Sequence, residues 1–317
     1  MLLISSERLR ELVPMAVAID AVRDAFVQSS RGNIEQPTRL ALRDGRALVM
    51  LAADSGDIGT VLKAVTVRPE NRRRGLPSVQ AVVVWFDGTS GRPTAVIDGT
   101  ALIALRTGAA SGVATDLLGR PDAAVLGLIG TGGQAADQVR GVCTVRAIRQ
   151  VRVASRHAQH AREFAVRLGR ELAPVPVVAA SVRDAINGAD VVCTATTSTE
   201  PLFAASDLSP DVHVNAIGAY TEAMCELPPD LCAGATVVAV DAIDAAMVEA
   251  GDLLRAMREG KLRRDQLIEI GDLLTRPWLR QDGRTVFKSV GVGAQDWALA
   301  RLAVERSMAG GGRDLVV

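Results

Sequence analysis

The chain has 317 residues, and its 36 Lys and Arg are balanced by 36 Asp and Glu. That length corresponds to about two ordinary domains, and 48% hydrophobic with 23% charged residues is a globular composition, not a disordered one. Zero net charge excludes the basic field of a nucleic-acid binder, and 3% aromatics leave little on which to stack bases.

The opening MLLISSERLRELVP has no basic leader segment, and no stretch approaches the roughly 18 uninterrupted apolar residues of a membrane span. The expectation is no signal peptide and no membrane partner. Cys143, Cys193, Cys225 and Cys232 contain no CxxC pair and lie in apolar stretches, which reads as buried thiols of a cytoplasmic protein. His157 and His160 sit three apart on a solvated helix face, and no metal site is expected.

In chain order, the first predicted element is a helix from Pro14 to about Ser30, with Ile19, Val22 and Phe26 at helical spacing and Gly32 beyond its end. Strands follow in TRLAL, ALVMLAA (after an Asp44-Gly45 turn), VLKAVTV, SVQAVVVWF and PTAVI, the last after a turn from Asp87-Gly88 to Gly91. Short strands joined by tight turns predict an antiparallel, hairpin-rich sheet. An Ala-rich helix from about Thr100 to Leu118 ends at Gly119-Arg120-Pro121.

From Ala123 the pattern becomes alternating strand and helix. The strands are AAVLGLIG, QVRVAS, VPVVAA, DVVCTAT, DVHVNAIG and ATVVAVD, with helices to about Ala147, over His157–Leu172 and after Ser181. Continuous apolar runs of this kind are buried parallel strands. The fold class is therefore α/β, a Rossmann-type parallel sheet beside a smaller α+β domain. Near the end, GVGAQDWALARLAVERSMAG forms a further Ala-rich helix.

Gly130-Thr131-Gly132-Gly133-Gln134-Ala135 follows the first of these strands and opens a helix. It reads G-x-G-x-x-A, a form of the dinucleotide fingerprint, in which glycines let the backbone approach a pyrophosphate at a helix N-terminus. A plain glycine turn is the competing reading, and the strand-turn-helix context argues against it. Where an NAD site usually carries Asp or Glu at the end of the next strand, this chain has Ser155-Arg156. A hydroxyl and a guanidinium suit a 2′-phosphate, so NADP(H) is preferred, with NAD(H) the alternative. The small polar run Thr194-Ala195-Thr196-Thr197-Ser198 lies at a strand's carboxyl end, where ligands of open α/β sheets bind.

Lys63 interrupts VLKAVTV, Arg39 sits in TRLAL, and Arg106 interrupts ALIALRTGAASG. Each alone reads as a sheet-surface charge. Together they would make a cationic pocket for a carboxylate, since buried cations need partners.

With KxxTxxPxN from Lys63 through Asn71, Arg106-Thr107-Gly108-Ala109-Ala110, Glu226-Leu227 and Phe287-Lys288-Ser289-Val290-Gly291 followed by Gln295-Asp296, the chain resembles the ornithine cyclodeaminase/mu-crystallin family. The resemblance spans nearly the whole sequence. It implies a homodimer whose subunit has a substrate and dimerisation domain (1–118 plus 292–317) and a Rossmann domain (119–291). It implies that Arg39, Lys63, Ser78 and Arg106, with Tyr220, meet a small carboxylate-bearing substrate, Lys63 and Arg106 being catalytic. It also implies that Thr107, the glycine loop, Ser155-Arg156, Thr194-Ala195-Thr196, Lys288 and Val290 line the cofactor.

One departure separates the chain from the cyclodeaminases it resembles. Where they carry an acid just before Glu-Leu, this sequence reads Gly218-Ala219-Tyr220-Thr221-Glu222. A phenol with a pKa near about 10 is no carboxylate base, and the G-A-[YF]-T form is similar to family members that act as imino-acid reductases and amino-acid dehydrogenases. The expected activity is NAD(P)H-dependent reduction of a cyclic ketimine such as Δ1-pyrroline-2-carboxylate. The alternatives are ornithine cyclodeamination, an alanine-dehydrogenase-like reaction, or ligand binding without turnover.

Overall fold

In the computed structural model, which describes residues 1–42, 45–278, 280 and 282–310, the strands sort into two sheets. Each sheet organises its own compact unit, one comprising Met1–Ala109 with the C-terminal segment from Val292, the other Ala110–Gly291. Asp44 of the expected turn and residues 311–317 of the expected 292–317 segment lie outside the described residues.

The first unit begins with β1 (Leu2–Ile4), α1 (Ser6–Leu12), α2 (Met15–Ser30), β2 (Ile34–Glu35), β3 (Leu40–Leu42), β4 (Ala47–Asp54), β5 (Gly59–Val67), β6 (Val79–Asp87) and β7 (Pro93–Asp98). Its described strands pair in the order β1-β7-β6-β5-β4-β2, with β3 also on β4. All pairs are antiparallel except β1 with β7. The β4–β5 turn is closed by Asp54, whose carboxylate accepts from the backbone N–H groups of Gly56, Ile58 and Gly59 at 2.9, 3.1 and 2.9 Å. An Asp that satisfies successive turn amides fixes the hairpin locally.

Strand alternation gives this sheet two unlike faces. Val61, Lys63 and Val65 are on the buried face of β5, against which the C-terminal helix Gly293–Ala309 packs, with α2 against that helix. The indole N–H of Trp297 in that helix donates to the Gly59 carbonyl at 2.8 Å. On the opposite face, Leu51, Leu62, Val84 and Val96 stand side by side in register, as do Leu40, Val49, Ala64 and Val82. That face is apolar and half-exposed to exposed.

Helix α3 (Gly99–Leu118) runs across the division between the units, which falls at Ala109/Ala110 and not after residue 118. The reason is packing: Ile103 joins Leu48 and Val65 of the first sheet, whereas Ser111 and Thr115 bond Gln138 and Asn215 of the second unit. Among the described residues α3 is the one helix long and apolar enough to cross a bilayer, and 89% of it is buried, as a core helix requires.

The second unit contains β8 (Val125–Ile129), α4 (Ala135–Val145), β9 (Gln150–Ala154), α5 (Ala158–Glu171), β10 (Val177–Ala179), α6 (Val182–Ile186), β11 (Val191–Thr194), β12 (His213–Ala216), α7 (Pro229–Gly234), β13 (Val237–Val240), α8 (Ile243–Glu249), α9 (Gly251–Arg258), β14 (Leu267–Glu269), α10 (Ile270–Leu274) and β15 (Thr285–Lys288). Its described strands form a wholly parallel sheet in the order β10-β9-β8-β11-β12-β15-β13-β14. This is a Rossmann-type sheet, in which the order of strand addition reverses between β8 and β11. Leu126, Leu128, Val151 and Val153 pack with Val139, Phe164 and Leu168 on one side. Ile129, Val192, Val214 and Val286 pack with Leu231 and Leu253 on the other. Burial on both faces is why these strands are continuous apolar runs.

Candidate active site

In the first unit, β5 and α3 bring Lys63 and Arg106 to the same carboxylate. Lys63, 1% exposed, holds its Nζ 2.5 Å from Asp296 Oδ2, while Arg106 Nε lies 3.5 Å from Asp296 Oδ1. Arg106 Nη1 donates to Gln295 Oε1 at 2.6 Å. Asp296 and Gln295 belong to the first turn of the C-terminal helix, so residues far apart in sequence meet on the covered face of the sheet. Burial pulls the Lys63 ammonium down to about 8, the Asp296 charge opposes that, and the charges of Arg106 and Arg39 add to it. Arg39, half-buried just before β3, thus belongs to the cluster electrostatically. Lys63, Arg106 and Arg39 together concentrate positive charge around Asp296, an arrangement that suits an anion.

Ser78 stands apart from these cations. Lys63 pairs in register with Val83 of β6, and at about 3.4 Å per residue the strand from Val79 to Val83 alone spans roughly 14 Å. The Ser78 Oγ is buried without a hydrogen-bond partner among the described residues. Thr107 is buried, and its hydroxyl donates back to the Ile103 carbonyl at 2.7 Å, a bond internal to α3.

In the second unit, the loops at the carboxyl ends of the strands are shaped by buried acids. Gly130 follows β8 with φ +114, and a Cβ there would run into the carbonyl of Ala195, beyond β11. The glycine therefore lets the two loops of the switch point close on one another. Gly133 faces open space, and α4 begins at Gln134 without a side-chain cap. Such a turn with uncapped N–H donors fits a pyrophosphate. Thr131 Oγ1 lies 3.3 Å from Ser155 Oγ at the end of β9, and Arg156 beside it is exposed.

Glu226 is the hub of the neighbouring loops. Its carboxylate accepts from Thr194 Oγ1 (2.9 Å), Thr196 N (2.6 Å), Thr196 Oγ1 (2.8 Å), Gly218 N (2.8 Å) and Ala219 N (3.3 Å). Burial, first, and the nearby Asp252 charge raise its pKa, against the pull of Lys288 and the Thr196 donors. Asp252 Oδ1 accepts from Glu226 N and Leu227 N at 2.5 and 2.9 Å, and its Oδ2 pairs with Lys288 Nζ at 2.7 Å. Asp241 accepts from Ser289 Oγ, Val290 N and Gly291 N at 2.8, 3.0 and 2.6 Å. The hydroxyls of Thr194 and Thr196, the Lys288 ammonium and the Val290 amide are thus engaged inside the unit. They set the shape of the loops that Ala195, Gly218 and Tyr220 present.

Asp296, Gln295, Glu226, Asp252 and Asp241 received no role from the sequence. The available signal was the buried cation itself, which demands a buried acid somewhere in the chain. No local pattern says where: Lys63 and Asp296 are separated by 233 positions.

A Rossmann sheet with this glycine loop, accompanied by a buried lysine–arginine–aspartate cluster, defines an oxidoreductase that works with a nicotinamide dinucleotide on a small amino or imino acid. The sequence profile of the ornithine cyclodeaminase/mu-crystallin family matches residues 1–311, and the chain belongs to that family. It is 34% identical over 316 residues to the Δ1-pyrroline-2-carboxylate reductase of Bacillus cereus, covering 97% of both chains. The Thermococcus litoralis Δ1-pyrroline-2-carboxylate reductase, solved with NADH and L-proline, superposes with a TM-score of 0.94 at 30% identity over the whole of both chains. An archaeal alanine dehydrogenase dimer with bound NAD superposes with a TM-score of 0.90 at 28% identity, covering 99% of this chain and 98% of that one.

Proposed function

We propose that this chain reduces a cyclic ketimine carboxylate of the Δ1-pyrroline-2-carboxylate type, with NADPH as the preferred reductant, to the saturated cyclic amino acid. The observation that carries the reading is Lys63, buried and paired with Asp296 at 2.5 Å beside Arg106. Arg106 and Arg39 hold the substrate carboxylate. Lys63, with its pKa near 8, is protonated at neutral pH and delivers that proton to the imine nitrogen. A nicotinamide dinucleotide, when bound, supplies the hydride to the imine carbon. The balance is imine plus NADPH plus one proton giving amine plus NADP+, the C=N double bond becoming a C–N single bond.

Preference for NADPH rests on Ser155 and Arg156 standing where an acid would bind the ribose hydroxyl. Reduction is favoured over cyclodeamination by the loop that holds Tyr220. The nearest acid, Glu222, is exposed and ion-paired with Arg258 at 2.8 Å, so it does not stand in for the missing carboxylate. A homodimer is supported by the apolar outer face of the first unit's sheet and by the dimeric archaeal relative. Four free cysteines accord with a reducing cytoplasm.

The test is a spectrophotometric screen of NADPH oxidation over five- and six-membered cyclic imino acids, with pyruvate plus ammonia in parallel. Stoichiometric NADPH consumption with a cyclic imino acid is the expected outcome. Ammonia release from ornithine without net NADPH change would overturn the reading, as would tight NADPH binding with no imino acid consumed.

A further inference from the structure

Gln295 is wholly buried, at 0% exposure, and both contacts of its side-chain oxygen are to donors. Oε1 accepts from Arg106 Nη1 at 2.6 Å and from the Val292 N–H at 3.4 Å. Only the oxygen end of an amide can accept two donors, so the orientation is fixed and the NH2 group is the other end. That Nε2 has no hydrogen-bond partner among the described residues. A buried amide donor left without an acceptor points to an acceptor the chain does not itself supply. Beside it lie the Lys63 and Arg106 cations, both on Asp296, with the Arg39 charge near enough to act on Lys63. The missing acceptor is therefore an anion's oxygen.

We propose that the first turn of the C-terminal helix is part of the substrate site, with the Gln295 amide donating to the substrate carboxylate next to Arg106, and with Asp296 as the positioning residue that holds the Lys63 and Arg106 head groups. The proposal rests on the reading of the substrate as an imino carboxylate. It gives the helix a task in recognition beyond packing. Asp296 fixes the proton donor, and Gln295 fixes one guanidinium nitrogen through its oxygen while offering two N–H bonds through its nitrogen. A planar carboxylate has two oxygens to receive them.

The experiment uses the full chain, with pyrrole-2-carboxylate, a planar carboxylate that cannot be reduced, as the binding probe. Calorimetric titration and steady-state kinetics with Δ1-pyrroline-2-carboxylate are compared for Gln295→Glu and Gln295→Met. Gln295→Glu keeps an oxygen for Arg106 and Val292 but replaces the donor. It is expected to weaken pyrrole-2-carboxylate binding and raise the imino-acid KM by about 30-fold or more, leaving the KM for NADPH within about twofold. Gln295→Met removes the donor without adding charge and is expected to cost about tenfold in the same two quantities. Should the charged variant unfold, the methionine variant decides the question. Binding within twofold of the wild type by a folded variant overturns the proposal.

Asp296 is tested by the pH profile of kcat. The charged groups that face Lys63 are Asp296 from the C-terminal helix, Arg106 from α3 and Arg39 ahead of β3. Removing the one that favours the ammonium in Asp296→Asn should move the basic limb to lower pH, and Asp296→Glu should restore it. An unmoved limb in Asp296→Asn overturns the positioning role. If the wild type neither binds pyrrole-2-carboxylate nor consumes NADPH with the imino acid, the substrate reading fails. If it does both and the variants match it, only the present inference fails.

Discussion

Lys63 and Arg156 carry different kinds of positive charge, the first buried and paired, the second exposed at the carboxyl end of β9. A lysine whose pKa is held near 8 by burial would, as the proposed proton donor, titrate in the working range. In the reductive direction kcat should fall as pH rises through about 8, by roughly tenfold per pH unit once the ammonium is lost. Lys63→Met should lose about 100-fold or more in kcat and, with it, that limb. A basic limb that survives in Lys63→Met would assign the proton to another group. Arg156 is exposed, so Arg156→Ala should leave the melting temperature unchanged. It should raise the KM for NADPH by roughly tenfold while moving the KM for NADH less than about twofold, because only the former carries a 2′-phosphate to pair. Equal effects on both would remove the basis for the cofactor preference. These two cations were legible in the sequence because each breaks a pattern, Lys63 by interrupting an apolar strand and Arg156 by replacing an acid. Gln295 and Asp296 break no pattern, since polar residues in the first turn of a helix are ordinary, and only folding shows what lies opposite.

The elements divide in the same way. β8, β9, β11, β12 and β13 are readable because a strand buried on both faces must be apolar throughout. β4, β5 and β6 are readable from alternation and turn chemistry. β1 has only three residues and is a strand because β7 lies beside it. β15 ends in Lys288, whose charge hides a strand that is nonetheless fully buried between β12 and β13. Its insertion there is a long-range crossover that no local periodicity encodes. Within the same sheet, His213 of β12 has a consequence for stability. Asn215 Nδ2 donates to Thr115 Oγ1 at 2.9 Å, so its Oδ1 accepts from His213 Nε2 at 3.1 Å, while Nδ1 lies 2.9 Å from Thr285 Oγ1. Burial in this neutral network pushes the imidazole down from 6.5 to about 3. The unfolded chain takes up a proton below pH 6.5 that the folded chain refuses until about pH 3. Stability from this group is therefore full above 6.5 and is lost as pH falls between those values, at about 1.4 kcal/mol per pH unit. Urea unfolding of His213→Gln, set against the wild type across that window, should show a shallower loss by about that slope. Parallel curves would mean that the histidine is charged in the native sheet or already relaxed in the unfolded one.

At the scale of the whole molecule the proposed homodimer is tested at the outer face of the first sheet. Leu51 and Val82 are 42% and 41% exposed, and they lie in adjoining rows of aliphatic side chains, the first crossing β4 to β7 and the second β3 to β6, in register. A contiguous apolar surface of this kind is not left to water in a stable monomer, and an antiparallel sheet face covered by a copy of itself gives a closed, two-fold contact. Such an interface needs about 800 Å2 from each partner, which rows of this breadth, extended by the exposed Leu40 and Leu42 of β3, are suited to provide. Wild-type chain should therefore run as a dimer in light scattering at micromolar concentration. The double variant Leu51→Arg and Val82→Arg should run as a monomer, because each arginine would be buried against an apolar partner without a counter-ion, at a cost of several kcal/mol. Both positions point away from Lys63, which lies on the covered face of β5, so the monomeric variant should keep the pyrrole-2-carboxylate site. A monomeric wild type would reject the interface, and a variant that stays dimeric would move it to another surface.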